Sequence, residues 1–376
     1  MRSQRAPIAL IALSLAMLAV AFQLMTPTSV ARGDVDNYAA HSAAILDGAV
    51  PYFDLEFEHF PISIAPIILP ELLVALGIDY VSAFVFLTVA AFVALSVVVD
   101  RIGRFSGDPG AGRRWLLLTT PMLPFLLYRL DVWSTLFAAL AYLAILETST
   151  RRYNAFVLLG IGTKGWPAVY AAIDWVRGRR RQAVVFVATA AVLAAVLLAT
   201  PGFRSGRSFT GIHIETLAGS LVLLSRPMQE IPVQIVTAAG AVYVEAGPWA
   251  IMANLAAGLS VAGASLVLLR RNNRSDHWLL SSAVFAVLLA SPLLSAQFLL
   301  WVTPFAALVV RRSLHMFLAG AGAMTTALLT WWEPASFGWA VLLVSRNLLL
   351  IACVVALLSA PTDDHVGRTS RRNLPV

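Results

Sequence analysis

Cysteine occurs once in the 376 residues, as Cys353 inside an apolar run, so neither an internal disulfide nor a thiolate metal site is available. Lysine is as rare: of 27 lysines and arginines, Lys164 is the sole lysine. Charge of either sign is scarce, with 12% of residues charged against 59% hydrophobic and a mean hydropathy of +0.79. That balance excludes an ordinary soluble domain and reads as a polytopic helical membrane protein. The chain has no Walker loop, no GxSxG and no HExxH, so soluble-type nucleotide and hydrolase chemistry is not indicated. No internal repeat, low-complexity tract or linker cuts it, which leaves a single membrane domain over residues 1–376 as the expectation.

The net charge of +7 does not call for nucleic acid, because the arginines come as short clusters between apolar runs, the pattern of cytoplasmic loops. With Arg101, Arg104, Arg113 and Arg114 inside, the clusters at 151–152, 177–181, 270–274, 311–312 and 368–372 fall inside too. Spans follow at 7–25 (an uncleaved anchor), 80–99, 115–128, 132–146, 182–199, 249–269, 278–290, 298–310, 313–330 and 336–358. Two stretches resist that count. Ile62 to Gly77, with Pro66, Pro70 and Glu71, reads as an interfacial or re-entrant helix. Tyr153 to Val176 has arginines at both ends and reads as two half-helices folded at Thr163-Lys164-Gly165, each rising about 18 Å. The expectation is an all-α fold of about ten to twelve spans, with both termini cytoplasmic and a cytoplasmic tail from about residue 360. Two large outer loops, near 27–61 and 200–248, complete the map.

The first outer loop gathers Asp34, Asp36, Asp47, Asp54, Glu56 and Glu58 against one arginine, Arg32. A chain embedded in lipid holds carboxylates together only where they face water. Lys164 stands out for a different reason. A composition that uses arginine everywhere else places its one ammonium, a point charge suited to a phosphate oxygen, at a turn at membrane depth. Arg129 and Asp131 share an outer turn, where a local ion pair is the plainest reading. Arg346, within the last span, needs a partner, and Glu71 or a lipid phosphate would serve. Gln297 is a candidate partner for a sugar hydroxyl and Trp301 a stacking face, while His59 and His213 are as easily structural. Leu217 to Leu224, in the second loop, reads as an apolar piece lying on the membrane surface.

In order, GDVDNY, LDGAVPYFDLEFEHFP, YRLDVW, GIGTKGWP, GIHIETL, LLSAQFLLWVTP and SRNLLL resemble, over nearly the whole chain, the GT-C polyprenyl-phosphate-mannose-dependent mannosyltransferases of glycosyltransferase family 87. The resemblance implies a helical fold with an extracytoplasmic site, a polyprenyl-phosphate sugar donor, a lipid or glycan acceptor, and a catalytic aspartate in the first loop. Asp34 matches that aspartate best and Asp36 is second. The expected binding residues are Lys164, Arg129, Arg207, Glu58, His59, Glu215, Gln297 and Arg346. The chain departs from the family's usual EYPP at Glu58-His59-Phe60-Pro61, and from SPQY at Ser295-Ala296-Gln297-Phe298. No metal site is assigned; if Asp34 and Asp36 held an ion, Mg²⁺ or Mn²⁺ would suit their oxygens. A transporter or lipid flippase, with Lys164 and Arg346 lining its pathway, is the rival reading, and a non-catalytic assembly subunit the third.

Overall fold

A computed structural model describes residues 8–25, 29–203, 212–225, 235–238, 241–244, 247–272, 274–291, 294–331, 333 and 336–359. The chain divides into two compact units, Met1–Ser205 and Gly206–Val376.

The first unit begins with α1 (Ile8–Met25), whose buried Ala12, Ala16 and Ala19 lie on one face and let it approach α5 (Tyr80–Phe105) closely. The acidic stretch expected as a loop is in large part a helix, α2 (Ser29–Leu46). Its buried face carries Val35, Tyr38 and Ser42, so a helical period was present beneath the polar composition. Residues 62–77 break at their prolines into a 3-10 turn (Pro61–Ser63), α3 (Ile64–Ile68) and α4 (Glu71–Val74). Asp79 caps α5 by accepting from the Ser82 amide at 3.1 Å. Then come α6 (Ala111–Thr119), α7 (Leu123–Leu126) and α8 (Asp131–Leu146).

The next stretch is a helical hairpin. α9 (Thr150–Lys164) stops where Gly165 takes φ +73°, a 3-10 turn covers Trp166–Val169, and α10 (Tyr170–Val176) returns. Its feet are tied at the far end, where the Tyr153 hydroxyl donates to Asp174 at 2.8 Å and Arg179 Nε donates to the same carboxylate at 2.6 Å. The break lies at the residues where the sequence placed it. α11 (Arg180–Ala199) closes the unit.

The second unit holds α12 (Leu217–Ser225), α13 (Gly247–Asn272), α14 (Asp276–Ala290), α15 (Leu299–Ala306), α16 (Arg312–Thr330) and α17 (Phe337–Leu358). It also holds a small antiparallel sheet that an all-α reading omits, β1 (Ile212–His213), β2 (Ile235–Ala238) and β3 (Ala241–Val244), in the order β1-β3-β2. The β-branched and aromatic residues in Ile235-Val236-Thr237 and Val242-Tyr243-Val244 favour strands. α12 packs on α17: Ala218, Val222 and Leu223 share a core with Trp339, Ala340 and Leu343.

The protein is a mostly helical membrane protein. Among the described residues, α5, α11, α16 and α17 are long and apolar enough to cross a bilayer, and several shorter apolar helices accompany them.

Candidate active site

The turn Arg129-Leu130-Asp131, which opens α8, takes part in two ion pairs of the first unit. Arg129 reaches α2 and forms an ion pair with Asp34. Asp131 reaches the tip of the hairpin, where its Oδ2 lies 3.2 Å from Lys164 Nζ. These two pairs join three separate segments of chain, which a local pair between Arg129 and Asp131 would not do. Asp34 and Lys164, 130 positions apart in sequence, are each one ion pair away from the same turn.

Local structure explains why this is tolerated. Asp131 sits in the first turn of α8 and Lys164 in the last turn of α9, so each charge faces the helix end whose dipole favours it. Trp166 Nε1 donates to Ser134 Oγ at 3.0 Å and the Tyr170 hydroxyl to the Ala138 carbonyl at 2.6 Å, which bolts the hairpin along α8. On the other side, Ser63 Oγ donates to the Thr163 carbonyl at 2.6 Å. A Cβ on Gly162 would come 2.3 Å from Ile62, and one on Gly165 would meet the Phe60 ring at 3.1 Å. Segment 60–63 and the tip thus fit only because those two positions lack side chains.

Burial grades the four charges. Asp131 is 1% exposed and the Arg129 side chain 8%, whereas the Lys164 and Asp34 side chains keep 22% and 40%. Of the four, Lys164 and Asp34 remain accessible. The Tyr38 ring, one helical turn beyond Asp34, is buried beside them, and burial raises its phenol pKa well above the ordinary value, with Asp131 and Glu58 adding to the shift.

A ring cluster adjoins this turn. His59 makes edge contacts with Tyr38 at 5.3 Å and Phe57 at 5.4 Å, and His41 lies 5.1 Å from Phe57. Glu58 Oε1 is 3.8 Å from His59 Nε2, and the His59 carbonyl accepts from the Tyr52 hydroxyl at 2.6 Å. Burial lowers the His41 pKa from 6.5, with Glu58 opposing the shift in part. The segment is tied down by Gly202, whose amide donates to the Tyr52 carbonyl while its own carbonyl accepts from the Phe57 amide, both at 2.9 Å.

Asp36 is exposed on α2, two positions past Asp34 and so on a different face of the helix. Among the described residues no three His, Cys, Asp or Glu side chains could hold a metal. Arg207 is outside the described residues. Gln297, in the second unit, is buried and accepts from Ser295 Oγ at 2.8 Å, and Trp301 is stacked on Phe298 at 4.1 Å. Arg346 finds its partner in Glu215, not Glu71: Nη1 donates to Glu215 Oε2 at 2.6 Å, with both residues buried in the second unit. Asp131 and Tyr38 lie among these side chains and were not counted from sequence; the only signal for Asp131 was its place two residues from Arg129.

The family model for glycosyltransferase family 87 matches residues 59–292. That interval contains His59, Arg129, Asp131 and Lys164; Asp34 precedes it and is joined to it by the Arg129 ion pair. No curated protein and no solved structure matches the chain.

Proposed function

The chain belongs to glycosyltransferase family 87, a GT-C type of glycosyltransferase whose sugar donor is a polyprenyl phosphate, and from that membership we propose that it is a mannosyltransferase with Asp34 as its general base. Membership in a transferase family also decides against the transporter reading.

The observation that carries the proposal is the meeting of Asp34 and Lys164 at the Arg129-Leu130-Asp131 turn. In the reaction, the acceptor hydroxyl oxygen forms a bond to the anomeric carbon as that carbon's bond to the phosphate oxygen breaks. Asp34 takes the hydroxyl proton, and the electron pair leaves on the polyprenyl phosphate. The phosphate gains a negative charge as it departs, so no acid is needed, only a cation. Lys164 is the more exposed of the two cations and takes that role. Arg129, nearly buried, holds Asp34 in place. One base and no carboxylate nucleophile give inversion at the anomeric carbon.

The acceptor is a lipid or glycan of the cell envelope, and the site faces the extracytoplasmic side of the plasma membrane. Its carboxylates gather in the acidic stretch, and the arginine clusters fall on the opposite side of the sequence map.

The test is transfer by the purified protein in lipid, supplied with a panel of labelled polyprenyl-phosphate sugars and an envelope lipid extract. Mannose is expected to be the sugar transferred, and Asp34→Asn is expected to lower the rate about 10²–10⁴-fold. Undiminished transfer by Asp34→Asn would refute the base assignment. For sidedness, Ala43→Cys in a Cys353→Ser background is expected to react with an impermeant reagent from outside; Ala43 is exposed on α2, while Ser42 beside it is buried.

A further inference from the structure

We infer that Asp131 is a positioning residue for the transfer: it fixes where the Lys164 ammonium meets the donor phosphate, and the turn it shares with Arg129 sets the spacing from that ammonium to Asp34. The inference rests on the roles proposed above for Asp34 and Lys164.

A lysine ammonium rides on a flexible four-carbon stem, so its place is set by what it binds rather than by its own backbone. The partner here is enclosed. Asp131 is 1% exposed, heads α8, and its carbonyl accepts from Ser134 Oγ at 3.1 Å and Thr135 Oγ1 at 2.7 Å. Ser134 in turn accepts from Trp166, two residues past Lys164, so the anchor and the lysine are held together by a second contact that carries no charge.

The carboxylate is enclosed while the lysine side chain keeps 22% exposure, so the anchored ammonium stays open to a ligand. The same turn grips the base through Arg129. Base and cation are thus located by two side chains of opposite sign, two residues apart on one stiff turn. An in-line displacement needs such a fixed spacing, because the incoming and departing oxygens stand on opposite sides of one carbon.

The experiment is steady-state kinetics in lipid on wild type, Asp131→Asn, Asp131→Glu, Lys164→Met and the double variant Asp131→Asn/Lys164→Met, with donor and acceptor varied separately. Both Asp131 variants are expected to raise the donor KM about tenfold or more, while the acceptor KM stays within about twofold. The double variant is expected to be no worse than Lys164→Met, because Asp131 acts through the lysine. Asp131→Glu keeps the charge and moves it by one methylene, so it carries the test if Asp131→Asn does not accumulate in the membrane. An active wild type whose donor KM is unmoved in both Asp131 variants overturns the role of Asp131 alone, as does a double variant whose defects add. A wild type inactive with every polyprenyl-phosphate sugar overturns the transferase roles of Asp34 and Lys164, and this inference with them.

Discussion

In the second unit Arg346 directs all of its side-chain nitrogens into the protein: Nη1 to Glu215, Nε to Asn347 at 3.1 Å, and Nη2 to Asn347 at 2.8 Å and to the Glu215 carbonyl. Asn347 then binds the Glu215 and Thr216 carbonyls and Ser220 Oγ at 3.2, 3.1 and 2.9 Å. In the first unit Lys164 and Asp34 also have ion-pair partners, yet both keep exposed surface. Both regions place charge inside an apolar chain, which costs free energy unless it is paired. The saturated network fastens the strand-and-helix segment 212–225 to α17, while the open one leaves Lys164 and Asp34 partly exposed. Availability, more than charge, separates the two regions.

The comparison breaks first at Arg346. Arg346→Met leaves Glu215 buried without its charge partner, and a loss of about 3–5 kcal/mol in stability is expected, read as a large fall in the detergent melting temperature. Adding Glu215→Gln is expected to recover much of it. A stable Arg346→Met with a specific loss of donor binding would instead move Arg346 into the site. A smaller effect is expected at the hairpin tip. Gly165→Ala puts a Cβ on a residue at φ +73°, against the Phe60 ring, and a cost of about 1–2 kcal/mol follows, with a raised donor KM because Lys164 is its neighbour. An unchanged melting temperature and donor KM would contradict the packing of segment 60–63 on the tip.

The smallest effect concerns His41. Its pKa falls below 6.5 in the folded protein, so the unfolded chain binds more protons between that lowered value and 6.5. Stability contributed by the neutral ring is therefore fully present above about pH 6.5 and is lost as pH falls toward the folded value. Melting temperature measured across that window is expected to drop more for wild type than for His41→Phe; equal slopes would contradict it.

Much of the scaffold was legible from sequence because it depends on local signals. The apolar runs, the arginine clusters and Gly165-Trp166-Pro167 marked the helices and the hairpin break, and a lone lysine marked its tip. Partnerships were not legible. Nothing local says that Lys164 pairs with Asp131, 33 positions away, or that Arg346 pairs with Glu215, 131 positions away. Choosing among carboxylates for each cation takes the fold. α2 was hidden for a related reason: its inner face carries Asp34, Tyr38, His41 and Ser42, so the polar residues that mark the site also blur the apolar stripe that marks a helix.

The proposed division of labour between Asp34 and Lys164 is tested most directly by measuring donor binding and sugar transfer side by side in Asp34→Asn and Lys164→Ala. Asp34→Asn is predicted to bind labelled polyprenyl-phosphate mannose nearly as wild type does and to transfer almost none of it, while Lys164→Ala is predicted to lose donor affinity. Transfer at the wild-type rate by Asp34→Asn, or wild-type donor affinity in Lys164→Ala, would contradict the account.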